Sequence, residues 1–244
     1  MKKTLKIYAF TAALLAGMLL PASTAFAIGE FSLGFNAGIT YAPNNIDSII
    51  TQYNGAMEIY KQTNAGAKAT QIDVPYAPVV GVNARYQFNF FLFRLGCHYS
   101  RPLFSSKGSV TTPGGVKNSI KISTYQNSIP ATIGIIMPLR KRTYFYIGGG
   151  GTLHQAYIKI KQDNPAVLGL TNNEDVYSGV FVAYHLMLGA EVPLTRKYTI
   201  TAEWIHQMGR SLPLDNSGDT ATPRKAINVQ GDILLFGVNY YIHI

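Results

Sequence analysis

The sequence predicts an all-β fold: an eight-stranded antiparallel transmembrane β-barrel of the up-and-down type, with long extracellular loops and short periplasmic turns. Three observations predict it. Apolar and polar residues alternate in eight segments with the period of two that strands have. Charged residues form 14% of the 244-residue chain, against roughly 25% in ordinary soluble domains. The chain also contains 16 tyrosines and 12 phenylalanines, which suits an outer surface that meets lipid.

The N-terminus is typical of a secretory signal peptide. Three lysines precede an apolar run over residues 7–20, and alanines occupy positions 25 and 27. We expect cleavage after Ala27, which leaves residues 28–244 as a single barrel domain. The alternative, a transmembrane anchor, needs about 20 apolar residues. The only cysteine, Cys97, excludes both an intrachain disulfide and acylation at the cleavage site.

The first predicted strand, residues 30–42, shows the alternation without a break. One face carries large apolar residues such as Phe31, Leu33 and Phe35, and the other carries serine, glycine, asparagine and threonine. We expect the apolar face to meet lipid, where a sheet must close so that no backbone group stays unpaired. The alternative is a soluble lipocalin-like barrel with the apolar face inside. It would have an almost uncharged outer surface.

The same alternation predicts seven further strands. They are residues 79–88, 91–101, 128–137, 144–158, 180–192, 198–208 and 232–244. Short turns are expected at 89–90, 138–143 and 193–197, and long polar segments at 43–75, 102–117, 162–175 and 209–226. An even number of strands with alternating short and long connections is typical of an outer-membrane barrel.

Aromatic residues near the predicted strand ends are candidates for the two girdles that mark the membrane interfaces. Near the short turns they are Phe88, Phe91, Tyr144, Tyr198 and Tyr240. Near the long loops they are Tyr41, Tyr76, Tyr99, Tyr125, Tyr157 and Tyr177.

Four charged residues are predicted to face the interior. Arg85 and Arg94 flank the turn at 89–90 at equal distance, so they should oppose each other on neighbouring strands, where like charges destabilise the pair. Glu191 and Glu203 point inward from the opposite wall, and eight strands enclose a lumen narrow enough for long side chains to meet. We therefore predict an ion network of these four residues that plugs the lower barrel and disfavours a wide pore.

The first long loop contains a second candidate site, at the barrel mouth. Apolar residues recur there at helical spacing, with Asp47 placed to cap the start and Asn54-Gly55 weakening the middle. These residues are Ile46, Ile49, Ile50, Tyr53, Met57 and Tyr60. Either the segment is a loop packed on its neighbours, or it is a short amphipathic segment that covers the mouth and offers an apolar surface to solutes.

Other motifs indicate no further chemistry. The glycine run at 148–151 is not followed by the lysine and hydroxyl residue of a phosphate loop, so we interpret it as close packing in the wall. The five histidines lack metal-ligand spacing, so we expect no metal and no cofactor. The basic run at 140–142 is interpreted as a solvated turn near phosphate head groups, and no nucleic-acid partner is expected.

The layout resembles that of the small eight-stranded outer-membrane barrels, the OmpA, OmpX and OmpW group. The best local match is LGAEVPLTRKYTITAEW (188–204), which is similar to that group's hairpin with a proline-containing periplasmic turn and an inward glutamate. Such barrels commonly end in an aromatic residue that the assembly machinery reads, whereas this chain ends in Ile244. The resemblance implies a bacterial outer-membrane location, termini in the periplasm, and lipid and the assembly machinery as partners.

We expect a monomeric, non-enzymatic protein. Its role would be structural, or surface interaction through loops that contact a host or surface ligand, or narrow transport of small or hydrophobic solutes. The alternative is a lipid-modifying enzyme, because Cys97-His98-Tyr99-Ser100 resembles the His-X-Ser of outer-membrane lipid A deacylases, where histidine is the base and serine the nucleophile. In that family the two residues face lipid, whereas strand parity places His98 and Ser100 in the lumen.

Overall fold

The structure is a computed structural model that describes residues 29–41, 46–140, 143–170, 173–209, 215–216 and 230–242. The predicted signal peptide and Ile244 lie outside the described residues. Within them the chain forms eleven strands, one α-helix and one 3₁₀-helix. In chain order these are β1 Glu30–Tyr41, α1 Asp47–Thr63, β2 Lys68–Thr70, β3 Tyr76–Phe88, β4 Phe91–Ser100, β5 Ser106–Thr111, β6 Lys117–Arg140, β7 Thr143–Gln162, the 3₁₀-helix Pro165–Leu168, β8 Glu174–Pro193, β9 Tyr198–Met208, β10 Asp215–Asn216 and β11 Gly231–Ile242.

Eight of these strands close into one antiparallel ring, which confirms the predicted eight-stranded barrel. The ring order is β1–β3–β4–β6–β7–β8–β9–β11, and β11 pairs with β1 to complete it. Closure pairs both edges of each ring strand, which satisfies the backbone in lipid. The short strands extend the wall: β5 pairs with β6, β2 with β5, and β10 with β8.

We call the end of the barrel with the short turns the lower end. In the lower wall, apolar side chains point outward and polar side chains point inward, as the alternation predicts. Phe35, Ile133 and Phe236 are exposed on the outer wall, whereas Asn36 and Thr132 are buried inside. A continuous apolar outer surface of this kind is stable against lipid rather than against water.

The pattern inverts in the upper parts of β6 and β7, and β6, β7 and β8 are all longer than predicted. β6 has 24 residues, whereas a tilted transmembrane strand needs about 9–11. In these extensions Ile120 and Ile158 are buried inside, and Lys121 and Lys161 face outward. Apolar residues inside and charged residues outside are typical of a wall surrounded by water. The inversion therefore marks the level at which the barrel leaves the membrane.

Most of the predicted girdle aromatics lie on the outer wall, but Tyr144 and Tyr177 do not. Both are buried inside the barrel, because each occupies an inward position in its strand. The girdle prediction is wrong for these two tyrosines. On the outer wall, Tyr125 of β6 stacks on Tyr157 of β7 with ring centroids 4.7 Å apart, just below the inverted pattern.

Helix α1 packs on the inward face of the extensions. Its buried residues Ile49, Ile50 and Met57 join one apolar cluster with isoleucines of β6 and β7. Ile46 is the N-cap and makes no side-chain capping hydrogen bond. The prediction that Asp47 caps the helix is therefore wrong, since Asp47 already lies in the first turn. None of the described helices has the length and hydropathy needed to cross a membrane.

Asn54, which we expected to weaken this helix, instead links it to the chain that follows. Its side-chain amide donates to Ile72 O at 2.9 Å, and its carbonyl oxygen accepts from Ile72 N at 2.8 Å. The two bonds satisfy the backbone of a residue that lies between β2 and β3.

Candidate functional site

The lower lumen contains four charged side chains that we call the ion layer: Arg85, Arg94, Glu191 and Glu203. Arg85 Nη1 lies 2.5 Å from Glu191 Oε2, and Arg94 Nη2 lies 2.8 Å from Glu203 Oε2. Arg85 Nη2 also lies 4.0 Å from Glu203 Oε1, which links the two pairs. All four side chains are 0–1% exposed. The structure therefore brings all four predicted residues together.

Barrel geometry explains why these residues meet. Arg85 on β3 and Arg94 on β4 are direct register partners. Strands β8 and β9, which carry Glu191 and Glu203, lie four strands away from β3 and β4 in the ring of eight, on the opposite wall. The carboxylates thus reach across the lumen and offset the repulsion between the two opposed arginines.

Neutral donors complete the coordination of both carboxylates. Glu191 accepts hydrogen bonds from Tyr241 OH at 2.5 Å and from Thr199 Oγ1 at 2.6 Å. Glu203 accepts a hydrogen bond from Tyr146 OH at 2.8 Å. Buried charges are tolerated when they are both paired and hydrogen-bonded, and the two carboxylates of the ion layer meet both conditions.

A second polar layer fills the lumen on the short-turn side of the ion layer. Tyr144 OH lies 2.6 Å from Tyr241 OH, and Gln87 Nε2 donates to Tyr241 OH at 2.8 Å and also to Tyr144 OH. Sequence reasoning missed this layer, although the signal was present. Tyr144 precedes the outward Phe145 and Tyr241 follows the outward Tyr240, so parity alone places both hydroxyls inside.

Gly189 makes room for the aromatic part of the ion layer. It is the register partner of Tyr146, and a Cβ at this position would collide with the Tyr146 ring. That ring lies under the guanidinium of Arg85, whose central carbon is 4.7 Å from the ring centroid. Gly189 is therefore a positioning residue for the ion layer.

The glycine run at 148–151 lies within strand β7 of the wall. This position agrees with the interpretation that the glycines allow close packing in the wall. A Cβ on Gly148 or Gly150 would collide with the carbonyl oxygens of Ile133 or Ala131 on β6. These two glycines let the backbones of β6 and β7 approach closely.

Histidines lie inside the barrel on the long-loop side of the ion layer. His98 Nε2 lies 3.4 Å from Arg94 Nη2. His185 lies between two hydroxyls, with Thr132 Oγ1 at 2.8 Å and Thr152 Oγ1 at 2.7 Å. Across the part of the chain that the structure describes, no group of three or more His, Cys, Asp or Glu could hold a metal ion.

His98 and Ser100 do not have the placement that the deacylase-like alternative requires. Their side chains are buried inside the barrel, whereas Tyr99 between them is exposed on the outer wall. Ser100 Oγ has no hydrogen-bond partner among the described residues. A nucleophile and its base need hydrogen-bond reach of each other, so this pair offers neither access to lipid nor an activated hydroxyl.

The six residues predicted for the mouth segment all contribute to the apolar cluster under helix α1. Ile46, Ile49, Ile50 and Met57 are buried, and Tyr53 and Tyr60 are partly buried against the cluster. Gln162 Nε2 donates to Tyr53 OH at 3.4 Å, and burial, together with the nearby Asp175, raises the pKa of Tyr53. The segment is thus a helix that packs on its neighbours, and its role as an apolar surface for solutes stays a prediction.

Known proteins show the family to which this chain belongs and the solved structures that it resembles. The sequence model of the outer membrane protein β-barrel domain family matches residues 10–241. Among solved structures, the chain is similar to Neisserial surface protein A, with 9% identity, a TM-score of 0.46, and coverage of 86% of this chain and 96% of that one. It is also similar to OprG from Pseudomonas aeruginosa, with 13% identity, a TM-score of 0.46, and coverage of 89% and 97%.

A third similar structure is Ail of Yersinia pestis, with 10% identity, a TM-score of 0.44, and coverage of 88% and 99%. A search of the curated proteins finds no match. The family match spans nearly the whole chain, and it agrees with the closed ring of eight strands and its apolar outer wall. The chain therefore belongs to the outer membrane β-barrel protein family and is a protein of the bacterial outer membrane.

Proposed function

We propose that this protein is a non-enzymatic, monomeric barrel that is closed to solutes through its lower half. Its role is structural, or surface interaction through the part that projects beyond the membrane. The ion layer is the observation that carries the proposal, because charged side chains from opposite walls meet across the lumen at 0–1% exposure. An eight-stranded interior is narrow enough for side chains to fill it.

The projecting part is large enough to be a contact surface. β6, β7 and β8 have 24, 20 and 20 residues, about twice the length of a membrane-spanning strand. We place their long-loop ends at the cell surface and the chain termini in the periplasm, since bacterial barrels have short turns on the periplasmic side. The assembly machinery of the outer membrane would insert the chain, and the loops would contact a host or surface ligand.

Conductance in planar bilayers tests the closed lumen. We expect no stable conductance steps from the mature chain, and none from a version that lacks residues 46–60, because the ion layer lies below helix α1. Uniform steps from the intact protein would overturn the proposal. Steps that appear only after the deletion would show that the helix, rather than the ion layer, closes the barrel.

One observation favours a second candidate, the binding or transport of small hydrophobic solutes. The cluster that Ile50 and Met57 form with the inner wall is continuous and apolar, so a hydrophobic molecule could take the place of these side chains if helix α1 moves. Proteoliposomes that take up a hydrophobic fluorescent dye faster than empty liposomes would support this candidate. Equal uptake would remove it.

A further inference from the structure

A cleft opens on the outer wall where β3 begins and where the chain passes from β4 to β5. Its volume is about 640 Å³, and it is open to the outside. Its walls are Asp73, Pro75, Tyr76, residues 103–107 and Lys121. The cleft is separate from the ion layer, because it lies on the outer side of the wall and the ion layer lies in the lumen.

Two lysines face each other in the cleft without a negative partner. Lys107 of β5 is the register partner of Lys121 of β6, and Lys121 is in turn the register partner of Lys161 of β7. Lys161 forms an ion pair with a carboxylate, since its Nζ lies 3.2 Å from Glu174 Oε2. Among the described residues, no carboxylate lies within 4.0 Å of Lys107 or Lys121, although Asp73 lines the same cleft. Directly opposed like charges destabilise a strand pair, so this site favours an added anion.

Beside the lysines the cleft presents apolar side chains to the outside. Leu103, Phe104 and Tyr76 are 77%, 82% and 64% exposed. The segment that carries the first two is held on the outer face of β6, where Ser105 Oγ lies 2.9 Å from Ser123 Oγ. Cations next to exposed apolar groups are complementary to an amphiphile with an anionic head.

The cleft lies at the level of lipid head groups. The stacked Tyr125 and Tyr157 mark the interface on β6 and β7. Lys121 is four residues beyond Tyr125 on the same face of β6, which corresponds to roughly 9 Å along the membrane normal for a strand tilted by about 45°. Phosphates of lipid head groups are found at this height.

We propose that the cleft binds the phosphorylated head group of a lipid in the leaflet on the long-loop side. The phosphate lies between Lys107 and Lys121, and an acyl chain lies against Leu103 and Phe104. Ammonium groups bind phosphate through charge-assisted hydrogen bonds, and basic residues near a membrane surface attract anionic lipids. This site is independent of whether the lumen conducts, so it goes beyond the proposed function.

Titration of the folded mature chain in neutral detergent with diphosphoryl lipid A tests the proposal. We expect saturable binding to one site. The Lys107→Gln/Lys121→Gln variant should bind about thirtyfold more weakly, which corresponds to about 2 kcal/mol for two lysines. A heat-dependent shift in gel mobility verifies that each variant is folded.

The matched control is Lys68→Gln/Lys117→Gln. Both lysines are register partners of Thr111, so they lie on the same outer face of the wall as Lys107 and Lys121 but further from the membrane. The control substitutions therefore remove the same amount of charge. We expect their replacement to change the affinity by less than about twofold. Lys117 is four residues from Lys121 along β6, and this distance exceeds the Debye length, so salt screens its charge from the site. Phe104→Ser should weaken the binding of lipid A as well, because it removes the acyl contact.

Each remaining outcome would overturn the proposal. If the Lys107→Gln/Lys121→Gln variant binds lipid A as tightly as the original chain, the lysines do not form the site. If the control pair loses affinity equally, the attraction is non-specific. If inorganic phosphate competes as well as lipid A, the ligand is the free anion. If an uncharged alkyl glycoside competes equally, the cleft accepts apolar chains without a phosphate.

Discussion

Glu203 illustrates what a buried charge requires in this lumen. Its carboxylate accepts hydrogen bonds from Arg94 and Tyr146, both at 2.8 Å, and lies 4.0 Å from a guanidinium nitrogen of Arg85. Each of the two carboxylate oxygens of Glu203 thus accepts a hydrogen bond. Removal of its charge leaves Arg94 buried without a carboxylate partner among the described residues.

The Glu203→Gln variant tests this requirement. We expect its free energy of unfolding to fall by about 3–5 kcal/mol, because one partner of a buried pair is stranded. Urea unfolding in phospholipid vesicles, followed by circular dichroism, measures the change. Asp232→Asn is the control, since Asp232 pairs with His206 at 2.8 Å on the exposed outer surface and should lose at most about 1 kcal/mol. Equal losses would contradict the buried network.

Gly189→Ala tests the positioning of Tyr146. The added methyl group collides with the Tyr146 ring, so we expect a loss of about 1–3 kcal/mol in the free energy of unfolding, as in other overpacked sites. Gly151→Ala is the matched control in a neighbouring strand, because a Cβ there meets no atom within 4 Å. Its effect should stay within about 0.5 kcal/mol. If the two variants are equally stable, Gly189 does not position the ring.

At the residue scale, the sequence determines which way a side chain points but not what it meets. Arg85 and Arg94 could be placed as partners because they flank a short turn, which fixes their register. The contact of Tyr146 with Glu203 joins β7 and β9, which are not neighbours in the ring. Such contacts depend on strand tilt and stagger around the barrel, and period-two alternation carries no information on either.

At the scale of elements, strand lengths were the main difference between expectation and structure. The predicted strand at 128–137 covers only the membrane part of β6, which starts at Lys117. The extension was missed because its alternation is inverted, with Ile120 and Ile122 inside and Lys121 outside. A strand whose apolar face keeps one orientation cannot include this inverted segment, so the predicted strand begins only at residue 128. In physical terms, the inversion is the signal that the surrounding solvent changes from lipid to water.

Helix α1 should be dispensable for insertion but not for protection of the mouth. Deletion of residues 46–60 shortens a surface connection, which has little effect on loop-closure entropy, but it uncovers the apolar side chains of the β6 and β7 extensions. We expect the deleted protein to retain its heat-dependent gel shift and to increase the fluorescence of a hydrophobic dye. Failure to insert into membranes would mean that the segment is part of the wall.

The tip of the β7–β8 hairpin should respond to acid. Lys159 donates a hydrogen bond to Glu174, and Lys161 lies near it, which together lower the pKa of the Glu174 carboxyl. Because the folded pKa is lowered, this stabilisation is complete above the ordinary glutamate pKa of about 4.3. It disappears as the pH falls through the lowered value.

NMR titration of the Glu174 side-chain carboxyl measures this shift directly. The midpoint should lie below the ordinary value, and Lys159→Met should raise it more than Lys161→Met does, since the bond from Lys159 is the larger cause. A midpoint that neither substitution changes would show that the lysines do not hold this carboxylate.

At the scale of the whole molecule, ring closure predicts resistance to detergent. All eight ring strands are paired on both sides, so the folded barrel should migrate differently on gels before and after boiling. We also expect the protein in the outer-membrane fraction without its first 27 residues. Recovery as a soluble periplasmic protein, with no heat shift, would contradict the barrel itself.

Charges from opposite walls of the barrel meet across the lumen, and a crosslink between those walls measures this contact directly. Arg94→Cys and Glu203→Cys are combined with Cys97→Ser, and the folded barrel in lipid is treated with a short thiol crosslinker. We expect efficient crosslinking of this pair, and none when Asp232→Cys on the outer wall replaces Glu203→Cys. Free thiols at 94 and 203 that react singly but never crosslink would contradict a lumen closed by the ion layer.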